Sequence, residues 1–206
     1  MKLKFISFLL IIASNSIFSQ EKVIGSNGTD ALNASTIKVN PNGKIENGTY
    51  SCLKFDWNIK IPEGYVLDAA TVVLPNGTVV SQNPTHLIGF EVDKRNTFLS
   101  SFESLAGSKI TSLEDHKNFI VKLFNDTYSK IETLKFDVSS SNMRIGNYDF
   151  YKVQTRLYDS KTDELLLTQD LYNSFINNNL FSVNINYNNP NIGKLLTENF
   201  ISSLSN

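Results

Sequence analysis

Residues 53–61 read Leu-Lys-Phe-Asp-Trp-Asn-Ile-Lys-Ile, apolar and polar side chains alternating without a break. Strict period two marks a β-strand with one face on a core and the other in water, because successive side chains on a strand point to opposite sides. The spacing places Leu53, Phe55, Trp57, Ile59 and Ile61 on the core face, with Lys54, Asp56, Asn58 and Lys60 turned outward. Burying that face contributes about 8 to 15 kcal/mol gross, an upper bound for a compact unfolded state. It also fixes register, since a slip of one residue turns the whole apolar set into water. Pro62-Glu63-Gly64 stops the strand, so the core is expected to form on a sheet with Trp57 inside it.

The remaining pattern extends that sheet. Residues 71–80 read as a hairpin turning at Pro75-Asn76-Gly77, where Asn-Gly supplies positive φ at little cost. Residues 86–93 read as a further strand in which Ile88, Phe90 and Val92 share a face. Phe98, Phe102 and Leu105 fall at helical spacing before Gly107, which predicts a short helix. A longer helix is predicted over 112–129, from Leu113, His116, Phe119, Ile120, Leu123, Phe124 and Tyr128, with Thr111 and Glu114 at capping-box spacing. Four strands then follow at 134–138, 148–158, 165–174 and 180–187, joined by short polar turns as an antiparallel meander requires. In the last of them Phe181, Val183, Ile185 and Tyr187 read as the inside, and Ser182, Asn184 and Asn186 as the outside. A closing helix starts at Asn189-Pro190, with proline in its first turn, and buries Ile192, Leu195, Leu196, Phe200 and Leu204. The fold class is α+β, a mainly antiparallel sheet with helices packed on its faces.

The run LKFDWNIKIPEGY at 53–65, followed by a central helix, a late meander with the strand FSVNINY and a C-terminal helix, resembles the PsbP-like superfamily. In that superfamily an early strand ends in a Pro-x-Gly-aromatic element, matched here by Pro62, Gly64 and Tyr65. The resemblance covers residues 49–204. It implies an α/β/α sandwich and non-catalytic accessory roles in assembly or binding, and it transfers no binding residue. The Asn/Gly-rich stretch before residue 49 and the 71–80 hairpin have no counterpart in it.

The amino terminus gives an address. Lys2 and Lys4, an apolar run at 5–13 broken only by Ser7, and small polar residues at Ser14, Asn15, Ser16 and Ser19 have the layout of a secretory signal peptide. As a helix that run covers about 14 Å, roughly half of a hydrocarbon core, so no stable membrane span is expected once the leader is removed. The ending Ile17-Phe18-Ser19-Gln20 resembles exports of the Bacteroidota type. Residues 1–19 are therefore read as signal peptide, 20–49 as an extended arm with a short strand at 36–39, and 50–206 as one domain. The product is expected outside the cytoplasm, periplasmic or extracellular.

Composition narrows the partners. The chain has 19 basic and 20 acidic residues, and losing Lys2 and Lys4 takes the formal charge from −1 to −3. Lysines are scattered singly, without the basic stripe of a nucleic-acid binder. Cys52 is alone, so no internal disulfide can form, and at the start of a patterned strand it reads as a small packed residue. The Asn-x-Ser/Thr triplets at Asn27, Asn47, Asn76 and Asn125 read as chance in an asparagine-rich chain.

Motifs for chemistry are missing: no G-x-S-x-G, H-E-x-x-H, phosphate loop or C-x-x-C occurs. No cofactor is expected. Two histidines and one cysteine are too few for an ordinary zinc site, and Asp159-Ser160-Lys161-Thr162-Asp163 reads as a hairpin turn. His116 falls on the apolar stripe of its helix and reads as packed; His86 reads as an exposed loop residue. Carboxylates Asp56, Glu91, Asp149 and Asp170 lie on strands, and two of them at the right separation would make a metal-independent hydrolase. Tyr148, Phe150 and Tyr158 share one face of their strand, opposite Tyr151, Val153 and Leu157. With Lys152 and Arg156 they form the candidate recognition patch, of the composition interfaces favour. The expected function is an exported, non-catalytic envelope protein that binds a partner protein or a small ligand, with the carboxylate hydrolase as the alternative.

Overall fold

The structure is a computed structural model and describes residues 40–81 and 83–205. The expected leader at 1–19, and the expected arm as far as residue 39 with its short strand at 36–39, lie outside the described residues. Twelve strands and two helices occur among those described. A small antiparallel sheet contains β1 (Asn40–Glu46), β2 (Thr49–Cys52), β3 (Asn58–Lys60), β5 (Val72–Val73) and β6 (Thr78–Ser81), in the order β3-β2-β1-β6-β5. A larger one contains β4 (Val66–Leu67), β7 (His86–Asp93), β8 (Asn96–Ser104), β9 (Leu134–Ile145), β10 (Tyr148–Asp159), β11 (Leu165–Ile176) and β12 (Asn179–Tyr187), in the order β4-β7-β8-β12-β11-β10-β9. Helix α1 (Leu113–Tyr128) joins β8 to β9, and α2 (Pro190–Ser202) follows β12.

The meander forms as the pattern requires, with β9, β10, β11 and β12 paired in sequence and antiparallel. Its turns use residues that tolerate positive φ: Gly146 at +55°, and Asn177 and Asn178 at +49° and +59°. β12 then lies against β8, so α1 carries the chain from the middle of the sheet to its far edge. The 71–80 hairpin also forms. Gly77 sits at φ +83°, and a Cβ there would lie 2.6 Å from the Ile45 carbonyl oxygen, so backbone room as well as φ demands glycine.

The core lies on the side of the large sheet that carries α2. Phe200 of α2 packs on Phe150, Tyr172 and Phe181, and the small sheet adds Tyr50, Trp57, Ile59 and Val79 to the same cluster. Trp57 is at its centre: its ring meets Phe181 edge-on at 5.0 Å, and its Nε1–H donates to Ser203 Oγ at 2.9 Å. The alternation is kept in burial from Phe55 to Ile61, though not in backbone, and Leu53 departs from it. Phe55, Trp57 and Ile59 are buried, whereas Leu53 is 64% exposed. Residues 53–56 are a bend returning β2 to β3, closed by the Cys52 N–H donating to the Trp57 carbonyl. Phe55 leaves that bend to stack on Phe102.

Three other expectations change. Residues 96–104 are β8, not a helix: Phe98 and Phe102 are four apart, an even number that places them on one strand face as readily as on a helix stripe. β1 begins at Asn40, inside the stretch read as an arm, where asparagines and glycines hide a strand with few apolar residues. Helix α1 is capped by Ser112, whose Oγ accepts from the Asp115 N–H, one position after the expected cap.

Candidate functional site

The candidate patch lies on β10, paired to β9 over its whole length and to β11 from Phe150 to Tyr158. Alternation places Tyr148, Phe150, Lys152, Gln154, Arg156 and Tyr158 on the α2 side of the sheet. The structure divides them. Phe150 is buried under Phe200 and belongs to the core, and Tyr148 packs half-buried against the same cluster. Both leave the patch because α2 covers that end of the strand. Arg156 is exposed and Tyr158 half-buried. Arg156 makes no ion pair among the described residues.

Lys152 stands between the two ends. Its Nζ is 2.8 Å from Asp170 Oδ2 and lies over the Tyr172 ring, 5.4 Å from the centroid. Asp170 is buried, and Gln154 Nε2 donates to its other oxygen at 2.8 Å. The Tyr187 hydroxyl reaches Oδ2 at 3.4 Å; burial, and then the Asp170 charge, push that phenol upward. The carboxylate is thus held by a cation, an amide and a phenol. Such a saturated cluster fixes side chains in place and leaves little capacity for proton transfer.

The other strand carboxylates do not converge on it. Asp170 faces α2, while the alternation sends Glu91 and Asp149 to the opposite side of the sheet. β7 and β10 are separated there by β8, β12 and β11. Four interstrand steps amount to about 19 Å, well beyond the roughly 5 to 9.5 Å of a glycosidase pair. Asp56 is exposed in the bend before β3.

Both histidines are buried. His86 opens β7 and is not the exposed loop residue expected from its neighbours. Its Nε2 lies 2.9 Å from the Thr71 hydroxyl and 3.5 Å from Asp68 Oδ1. Thr71 also donates to Asp68 and accepts from the Gly89 N–H, so its oxygen is fully used and is no nucleophile. Burial pushes the Asp68 carboxyl up, but the hydrogen bond and charge of His86, with the Thr71 hydroxyl and amide, hold it below its usual value. His116 packs inside α1, as its place on the stripe predicts, with Nδ1 2.8 Å from the Tyr151 hydroxyl. Burial lowers its pKa to about 4. Among the described residues no group of three or more His, Cys, Asp or Glu side chains could hold a metal ion. Residues 159–163 form a turn in which Asp159 accepts from the Lys161 and Thr162 amides.

The α1 side of the sheet holds what the sequence pattern missed. Ser182 and Asn184, assigned to the outside of β12, are buried, as are Gln169 and Asn173 on β11. Polar residues alternating with apolar ones read as solvated, and only the strand order shows that these four lie in mid-sheet.

No family model matches the chain, and no curated protein does. Among solved structures it is similar to the solution structure of cyanobacterial PsbP (CyanoP) from Synechocystis sp. PCC 6803. The likeness is at 13% identity, covering 87% of this chain and 96% of that one, with a TM-score of 0.51. At such low identity it speaks for the fold alone, and the fold of this chain is PsbP-like.

Proposed function

We propose that this chain is an exported, non-catalytic binding protein of the cell envelope, engaging a partner protein through Lys152, Arg156 and Tyr158 of β10. The leader-like amino terminus supports export. The observation that carries the reading is Arg156, exposed on a strand paired on both sides and without an ion pair among the described residues. An arginine beside a half-buried tyrosine, on backbone that cannot shift, presents rigid contact area of the kind that dominates interfaces. The exposed Lys135, Asp137 and Ser139 of β9 lie across from Tyr158, Arg156 and Gln154 and widen the surface.

The test is in-cell crosslinking of the exported form followed by mass spectrometry, with an Arg156→Glu, Tyr158→Ala variant in parallel. A partner captured by the parent chain should fall about tenfold or more with the variant, while the melting temperature stays put. Equal recovery from both chains would discard the patch. Hydrolysis of an envelope glycan or ester by the purified protein, abolished by Asp170→Asn, would favour the carboxylate hydrolase instead.

A further inference from the structure

On the α2 side of the large sheet, β9 and β10 form an open shelf. Helix α2 lies over β12 and β8 and reaches β10 through Phe200 on Phe150. Past Phe150 the shelf carries four rows in register: Ser141 beside Lys152, Ser139 beside Gln154, Asp137 beside Arg156, and Lys135 beside Tyr158. Every β9 member of these rows is exposed, as is Arg156, while Lys152, Gln154 and Tyr158 are half-buried. Lys135 pairs with Asp163, and Lys152 with Asp170. Asp137 and Arg156 remain. They are cross-strand neighbours of opposite charge, yet neither makes an ion pair among the described residues.

A partner surface of one charge sign would be repelled by either Asp137 or Arg156. The surface that answers both, at the same spacing, is this shelf turned over. Rotating a second copy about a two-fold axis that runs along the strands, just above the gap between β9 and β10, sets its β10 over β9 and its β9 over β10, row for row. Asp137 of each copy then meets Arg156 of the other, so the ion pair forms twice. Lys135 meets the Tyr158 ring, a cation over an aromatic face. The short Ser139 and Ser141 leave room for the long Gln154 and Lys152. Sheet twist separates the outer rows, so Asp137–Arg156 and Ser139–Gln154 meet closest. Sheets packed face to face lie about 10 Å apart, close to the thickness of a helix, and each α2 comes to lie beyond the free edge of the other copy's β9. Charges along that edge disfavour edge-to-edge pairing and leave the face available. We infer that the β9–β10 shelf is a self-association surface whose partner is a second copy of this chain. The inference rests on the proposed role of Arg156 and Tyr158 as a partner patch and names the partner. The shelf is only about 10 Å wide and about 20 Å long, so the dimer belongs to the small, transient class.

Sedimentation equilibrium of the purified exported form, from about 10 μM to about 1 mM, tests it. The parent chain should pass from monomer to dimer across that range. Arg156→Asp sets two acids against each other at both contacts, and Asp137→Arg sets two bases, so each alone should weaken dimerisation about tenfold or more. Mixed in equal amounts, the two variants should regain the parental affinity to within about threefold, because one chain then offers two acids where the other offers two bases. Pairing inside a single chain cannot produce that recovery. Both positions are exposed, so each variant should keep a melting temperature close to the parent's. A parent chain that stays monomeric at the highest concentration, a dimer indifferent to both substitutions, or a mixture as weak as its components would each overturn the inference. A monomeric parent that still captures a different protein in the crosslinking experiment, with that capture lost in the Arg156→Glu, Tyr158→Ala variant, would remove the second copy and leave the partner patch standing.

Discussion

At the scale of single residues, His116 makes stability depend on pH. Its imidazole is buried against Tyr151 and titrates near 4 in the folded chain, against an ordinary 6.5. Between those values the unfolded chain holds a proton that the folded chain lacks, so stability rises with pH across the window and is lost as pH falls from about 6.5 toward 4. The full effect is on the order of 3 kcal/mol. Burial raises the Glu103 carboxyl, whose contribution runs the other way. Asp68, held low, loses its contribution only in more acid solution. Comparing urea midpoints at pH 7 and pH 5 for the parent chain and His116→Gln therefore isolates the imidazole: the variant should show the shallower fall, and parallel falls would refute the assignment. Trp57 offers a harsher probe. Its indole is buried among Tyr50, Phe55 and Phe181, so Trp57→Asp leaves an uncompensated carboxylate in the core. The variant should show no cooperative thermal transition by circular dichroism; a parental melting curve would mean the indole is not in the core.

Among the elements, α1 depends on its cap. Ser112 satisfies the Asp115 amide, and Glu114 and Asp115 place negative charge at the positive end of the helix. Ser112→Ala should cost about 1 kcal/mol, read as a lower urea midpoint with the slope unchanged; Thr111→Ala, aimed at the cap expected from sequence, should cost far less. That one-residue difference shows what periodicity can and cannot reveal. Long elements with a buried and a polar face, such as α1, α2 and the strands from β10 to β12, were legible because their own residues specify them, whereas β9, expected over 134–138, runs on to Ile145 through a serine-rich stretch that has few apolar residues to mark it. β8 was misread because a spacing of four satisfies both helix and strand. β1 was hidden because its stability comes from pairing with β2 and β6 and not from its own side chains. The patch was half legible: the shared face of β10 follows from alternation, but which end α2 covers does not. The Lys152–Asp170 pair needed the β10–β11 register, and the burial of Ser182 and Asn184 needed the order of strands that lie far apart in the chain. β9, at the sheet edge, carries exposed Lys135, Asp137, Arg144 and a run of serines, which discourages a second sheet from adding there.

For the whole molecule, the decisive contact is the insertion of β12 between β8 and β11, pairing residues 97–104 with residues 179–186. Until that strand arrives, β8 has no partner on one side and β11 none on the other. Phe181, Val183 and Ile185 bring the aromatic cluster together only when it does. A fold closed by so late a strand loses its sheet as one unit, since opening β12 exposes both halves of the core. The small sheet lacks that support at its edge, where β5 has two exposed residues paired only to β6. Amide hydrogen exchange followed by NMR should therefore find the slowest protons in the middle of β8, β10, β11 and β12, all exchanging at the rate of global unfolding. Amides of β4 and β5 should exchange far faster through local opening. If urea shifts β8 and the meander independently, the two halves are separate cooperative units, and β12 is not the element that joins them.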